Sequence, residues 1–270
     1  MINNRVSPIV DKEIEDYLVK NNITVQLSID GDEDTHNSNR YFANKVKSYD
    51  LIMKKTKNMR EKGILSSRAT VTNNNLDMIS TFEHLYDLNF RAIPIVPAYN
   101  SLKQDDYDNV ENAYSALIDY FENLIKVGDF EKANKMTIIK NSLKRIHTGY
   151  DRNVSCGVGN GSCAVDINGE LYPCHRFVSS KEHKIGDIYN GFEGRKEFIK
   201  SVNVENDKEC SECWAKNLCV GGCPNETMDY KKNKSEDKFN ICEITKFIYE
   251  NLINVYIRLT EEEKKQLFTI

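Results

Sequence analysis

All eight cysteines of this 270-residue chain lie between Cys156 and Cys242. Their spacing is C-x6-C-x10-C, then C-x2-C-x5-C-x3-C, then one more. Thiolates grouped in this way are a disulfide framework or a set of soft metal ligands. A [4Fe–4S] cluster takes four of them, so eight cysteines satisfy two clusters with none left over. The run Cys210, Cys213, Cys219, Cys223 is followed by Pro224. In bacterial two-cluster ferredoxins a comparable run ends in Cys-Pro, and its fourth cysteine ligates the other cluster. By that logic Cys223 could cross to the group of Cys156, Cys163 and Cys174, and Cys242 would complete the group of Cys210, Cys213 and Cys219. The competing metal reading is structural zinc, which also takes four thiolates at short spacing. Zinc ribbons pair two Cys-x2-Cys hooks, whereas this chain has one, at 210 and 213.

The bulk composition narrows the setting. Hydrophobic residues make up 40% of the chain, including 14 Tyr and 11 Phe, which is enough for a core. A net charge of −4 argues against a nucleic-acid partner held through its phosphates. No run of about 18 apolar residues is present, so no membrane span is expected. The first residues, MINNRVSPIVDKEIEDYL, lack the basic start and apolar run of a signal peptide. The expected location is the cytoplasm, where cysteines serve as ligands more often than as disulfides.

Elements that would position these residues follow from periodicity. Residues 8–21 read as a helix with Pro8 in its first turn and Ile14, Tyr17, Leu18 and Asn21 on one face. Residues 23–30 read as a strand, followed by a loop, GDEDTHNSNR. A helix over 46–62 stopped by Gly63, a strand over 65–72, a helix over 76–88 and a strand over 90–99 ending near Pro97 complete an alternation. Such alternation predicts a parallel sheet with crossover helices, here part of an α/β barrel or sheet. Two more helices are expected over 104–126 and 130–146. Beyond about residue 150, Asn168-Gly169 predicts a hairpin between Ala164–Ile167 and Glu170–Tyr172. Helices are expected over 191–202 and 241–258, the latter with Ile244, Phe247, Ile248, Leu252 and Val255 on one stripe, then a short charged helical tail. KKNKSEDK, 231–238, reads as a solvated loop.

The segments DINGELYPCHRF (166–177) and CSECWAKNLCVGGCP (210–224) resemble the SPASM domain, the auxiliary-cluster module of radical S-adenosylmethionine (SAM) enzymes. VQLSIDGDEDTHNSNR (25–40) followed by RATVT (68–72) is similar to the later part of a radical SAM partial barrel. The resemblance covers nearly the whole chain. It implies an α/β fold, with a partial (β/α) barrel of later strands over 1–150 and a small cysteine-rich α+β SPASM domain with a C-terminal helix over 151–270. It further implies one cubane on Cys156, Cys163, Cys174 and Cys223, and a second on Cys210, Cys213, Cys219 and Cys242. Some members leave one position of the first cluster open for substrate; Cys163 would be the absent ligand in that case.

Relatives with this arrangement form formylglycine in sulfatases or thioether crosslinks in ribosomally made peptides. In both, the resemblance implies hydrogen abstraction from a peptide residue by a SAM-derived radical. The implied partners are a ribosomal precursor peptide or a sulfatase substrate, and a ferredoxin or flavodoxin reductant. Sulfatase-maturing members carry an Asp after the hairpin cysteine; here that residue is His175, which leans the resemblance toward the thioether-forming maturases. His175 is the candidate base or substrate contact. Ser28 and Asp30 would lie near the SAM ribose and methionine, and Arg68 could meet the SAM carboxylate. His36 and Arg40 read as loop residues, and Trp214 as a side chain packed over a cluster. The defining C-x3-C-x2-C motif is absent; Cys219-x3-Cys223 is followed by Glu226 where the third cysteine would stand. The expectation is an N-terminally truncated or split enzyme that does not cleave SAM unless the missing barrel part is supplied by a separate chain. A non-catalytic electron-transfer subunit is the alternative.

Overall fold

The computed structural model describes residues 12–42, 44–149, 152–178, 180–232, 235 and 237–268. The chain divides into two compact units, Met1–Lys144 with Glu250–Ile270, and Arg145–Tyr249. No described helix is long and apolar enough to cross a membrane.

The first unit begins with α1 (Lys12–Lys20), which buries Leu18 together with Glu15. The face anticipated from sequence is therefore shifted: Tyr17 is 62% exposed, and Pro8 lies outside the described residues. Strand β1 (Val25–Ser28) leads into α2 (Glu33–Asn39), where a loop is expected from the sequence. The helix forms because Asp32 caps it, accepting the Thr35 N–H at 2.9 Å, while Glu33 and Asp34 face the positive end of the helix dipole. Then follow α3 (Tyr49–Glu61), β2 (Leu65–Val71), α4 (Met78–Asp87) and β3 (Ile95–Pro97). The three strands form one parallel sheet in the order β1-β2-β3, with Ser28 beside Arg68 and Ala69 beside Ile95. Pairing along β2 starts earlier, since Ser67 and Ala69 donate to Ala92 O and Pro94 O.

Alternation along these strands separates two faces. Val25, Leu27, Leu65, Ala69, Val71 and Ile95 are buried, as are Ile52 and Met59 of α3 and Phe82 and Leu85 of α4. The opposite face carries Gln26, Ser28, Ser66, Arg68 and Thr70, none of them buried. A parallel sheet is ordinarily covered on both faces, so this polar face is the one suited to a ligand. After β3 come α5 (Tyr107–Lys126), α6 (Phe130–Lys135) and α7 (Thr137–Thr148). The single helix expected over 130–146 is broken at Met136, whose backbone leaves helical geometry.

In the second unit, β4 (Ala164–Val165) and β5 (Glu170–Tyr172) form the hairpin expected at Asn168-Gly169. Two further strands, β6 (Gly186–Asp187) and β7 (Gly191–Phe192), extend it to four antiparallel strands. The helix expected from 191 starts only at Arg195, as α8 (Arg195–Ser201). Asp187 builds the β6–β7 turn by accepting the N–H groups of Tyr189 and Asn190. Val158, Leu171, Tyr172, Phe177, Ile185 and Phe198 form the core behind this sheet. Three short helices follow, α9 (Lys208–Ser211), α10 (Lys216–Cys219) and α11 (Pro224–Lys232). Helix α12 (Ile241–Arg258) crosses the unit boundary and buries Ile244, Leu252 and Val255, and α13 (Glu261–Phe268) ends the described chain.

Candidate metal centres

Asp207 starts the loop that carries Cys210 and Cys213. Its carboxylate caps α9 and accepts the Cys210 N–H at 2.8 Å. The turn closes with Cys213 N–H donating to Cys210 O, so both sulfurs leave one short loop. Helix α10 carries Cys219 and ends at Val220, whose φ of 53° is left-handed, followed by Gly221 and Gly222 at 77° and 65°. Three such residues reverse the chain before Cys223. Cys242 lies in the first turn of α12. Tyr249 of the same helix donates to Leu218 O at 2.7 Å and ties α12 to the Cys219 loop.

Cys210, Cys213, Cys219 and Cys242 thereby line one cavity of about 550 Å³, which Cys223 does not line. Burial, and then the neighbouring sulfurs of Cys242 and Cys210, push the Cys219 thiol up to about 11. Burial likewise raises the thiols of Cys210 and Cys242. Thiols held protonated in this way release their protons when a soft metal binds. Trp214 also lines the cavity, where the sequence expects it to pack over a cluster.

The segments that carry the other four cysteines are linked by neighbouring contacts. Ser155 donates to Gly222 O, joining the Cys156 turn to Cys223. Gly159 N–H donates to Pro173 O at 3.1 Å, bringing the same turn to Cys174. Ala164 pairs with Tyr172 across the hairpin, which puts Cys163 opposite the chain entering Cys174. Arg176 reaches Cys223 Sγ at 3.3 Å and Glu226 at 2.5 Å. Cys156 and Cys163 are exposed, Cys174 and Cys223 half-buried, and all eight cysteines are free thiols.

Among the described residues no three His, Cys, Asp or Glu side chains are drawn together tightly enough to hold a single metal ion. Tetrahedral zinc needs four donors within about 2.3 Å of one ion. Four thiols and, among the described residues, no histidine line this cavity, a donor set that fits an iron–sulfur cluster.

In the first unit the structure brings Ser28, Asp30 and Arg68 to one end of the parallel sheet, with Ser28 and Arg68 as register partners. Asp30 is 1% exposed and its carboxylate is already engaged. It accepts two bonds from Arg40, at 2.6 and 3.1 Å, and the Thr70 N–H at 2.9 Å. Arg40 and His36 are thus part of a buried network, whereas the sequence alone reads them as loop residues. His36 Nδ1 accepts the Asp30 N–H, and Nε2 meets Ser48 Oγ, which in turn donates to Arg40 O. These partners select the neutral Nε2–H tautomer. Burial, opposed by Asp30 and reinforced by Arg40, lowers the imidazole from 6.5 to about 4. His175 is exposed in a one-turn 3-10 helix, His175–Phe177, next to Arg176.

Comparison with known proteins agrees with the motif reading. Cysteine-type anaerobic sulfatase-maturating enzymes of Clostridium novyi (strain NT) and Clostridium perfringens (strain 13 / Type A) are each 26% identical, over 268 and 273 residues. The alignments cover 91% and 92% of this chain, and 69% and 71% of those proteins. This chain is similar to anaerobic sulfatase-maturating enzymes. The solved structure of anSMEcpe with bound AdoMet has a TM-score of 0.70 at 24% identity, covering 93% of this chain and 74% of that one. That of anSMEcpe with bound AdoMet and Kp18Cys peptide has a TM-score of 0.69 at 23% identity, with the same coverage. At such identity the likeness is one of fold, a mixed α/β chain with a parallel sheet. No protein-family model matches the chain.

Among the described residues, Lys231, Asp207, Arg176 and Glu226 are polar residues beside the sulfurs that sequence reasoning missed. Only the Asp-x-x-Cys cap at Asp207 leaves a local sequence signal; the others act across 21 to 50 residues.

Proposed function

We propose that this chain is the cluster-bearing part of a radical SAM enzyme that modifies a peptide or protein. Residues 1–150 would be the later strands of the partial barrel and 151–270 the SPASM domain. Two [4Fe–4S] clusters would be held by Cys156, Cys163, Cys174 and Cys223, and by Cys210, Cys213, Cys219 and Cys242. What supports this reading is a cavity lined by the four cysteines of the second set and not by Cys223, whose sulfur instead meets Arg176, two residues past Cys174. The clusters, when bound, would supply one-electron acceptors.

The remaining roles belong to the chain itself. Ser28 and Arg68, side by side on the polar sheet face, would orient SAM, with the Arg68 guanidinium toward its carboxylate. Asp30 acts behind them, fixing Arg40 and the Thr70 backbone rather than contacting the cofactor directly. The exposed His175 would hold or accept a proton of the peptide. By analogy with the peptide-bound relative, the substrate is a peptide, and formylglycine formation is the favoured outcome over thioether formation. A ferredoxin or flavodoxin would be the electron partner. The SAM-cleaving triad is not among the eight cysteines, so SAM cleavage needs thiolates from outside these 270 residues. A non-catalytic electron-transfer subunit would share the clusters and lack any response to peptide.

Anaerobic reconstitution with iron and sulfide tests the reading. Two cubanes give about eight irons per chain and a broad absorbance near 400 nm. A colourless protein with stoichiometric zinc refutes it.

A further inference from the structure

Helix α11 begins directly after Cys223 and carries a charged residue toward each sulfur set. In its first turn, Glu226 holds Arg176 at 2.5 Å, and Arg176 Nη1 lies 3.3 Å from Cys223 Sγ. In its last turn, Lys231 Nζ lies 3.1 Å from Cys210 Sγ and 2.6 Å from Asp207. Asp207 also accepts the Cys210 N–H, so the lysine, the aspartate and the cysteine form a closed ring of contacts. Lys231 lies five positions after Glu226, a rise of about 7.5 Å along the helix axis. The two arrangements share one pattern: a cation aims one N–H at one cysteine sulfur, and a carboxylate holds the cation in place. Each member of these pairs is only partly exposed, from 13% for Glu226 to 34% for Asp207.

We propose that these two pairs set the reduction potentials of the two clusters separately, Arg176–Glu226 for the cluster containing Cys223 and Lys231–Asp207 for the cluster containing Cys210. The proposal rests on the iron–sulfur reading above. Reduction places one electron on a cluster, supplied in the test by dithionite, and neither moves a proton nor breaks a bond. The added negative charge sits partly on the thiolate sulfurs. A charge-assisted N–H donated to one of them stabilises the reduced form more than the oxidised form, and so raises the potential. Removing the cation also strands its carboxylate near the cluster, which lowers the potential further. Neither residue touches peptide or SAM in this scheme; both are positioning residues whose effect is electrical.

The test is a redox titration of the reconstituted full chain, followed by electron paramagnetic resonance, with iron and sulfide counted in every sample. Wild-type protein should show two midpoints. In Lys231→Met one midpoint should fall by at least tenfold in the reduction equilibrium, about 59 mV for one electron, with the other unchanged. Arg176→Met should move the other midpoint alone. Lys231→Arg keeps a cationic donor and should stay within that tenfold of wild type. The proposal is overturned if neither Met variant moves a midpoint by that much, if both move the same one, or if Lys231→Arg falls as far as Lys231→Met. It is also overturned if a folded Lys231→Met protein loses half its iron, because the residue then serves cluster retention. A wild-type chain that takes up no iron and sulfide sinks the iron–sulfur reading itself, an outcome visible before any potential is measured.

Discussion

Replacing Asp30 by Ala separates a structural carboxylate from a ligand-binding one. The side chain is 1% exposed and accepts three hydrogen bonds, two from Arg40 and one from the Thr70 N–H. Removing one partner of a buried ion pair costs roughly 3–5 kcal/mol. The Arg40 side chain is 30% exposed and regains some water when released, so the loss falls at or below the bottom of that range, about 2–3 kcal/mol. For a unit of this size that loss lowers the melting temperature by roughly 4–12 °C. Urea titration with an unchanged slope gives the free energy directly. Asp30→Asn keeps an acceptor for Thr70 and should lose less. If Asp30→Ala unfolds within about 0.5 kcal/mol of wild type, as surface substitutions do, the Arg40 and Thr70 bonds do not hold this strand end. The carboxylate would then be free to serve a ligand.

Cys219→Ser and Cys242→Ser should each drop reconstituted iron from about eight per chain to about four, since each removes a thiolate from the same four-thiolate set; a protein that keeps all eight irons contradicts the assignment. His36 gives a pH dependence. Its folded value is about 4 against an ordinary 6.5, so the unfolded chain binds more protons between those values. Stability is then whole above about pH 7 and falls as pH drops from 6.5 toward 4, by up to about 3 kcal/mol. His36→Gln should flatten that slope in denaturation series from pH 4 to 7. Asp32→Ala removes the α2 cap and should cost about 1 kcal/mol by urea titration. Gly186→Ala drives a methyl group into the Gly191 backbone at a φ of 140°, so it should disrupt the β6–β7 pairing, seen as lost amide protection there.

The chain order and the spacing of its residues settle a good deal without coordinates. Cysteine arithmetic gives eight thiols, the number two four-thiolate clusters would use, because ligand number is a property of the cluster and not of the fold. Asn168-Gly169 marks the hairpin, since Gly169 takes the positive φ, 80°, that the turn needs. Alternating apolar strands and helices mark the parallel sheet. All these signals are local, and residues a few positions apart carry them.

Tertiary structure decides what distance along the chain conceals. Arg40 reads as a loop residue until α2 turns it back onto Asp30, ten residues earlier. The strands β6 and β7 have two residues each, too few for a periodicity, and exist because β5 offers them an edge. Lys231 lies in a stretch that reads as solvated loop, yet it sits in the last turn of α11 with its ammonium 3.1 Å from a sulfur 21 residues away. An ion pair or a donated hydrogen bond depends on where two backbones meet, and no short-range rule of the sequence encodes that meeting. The thiolates could thus be counted from the sequence, while the charges that act on them became visible only in the folded chain.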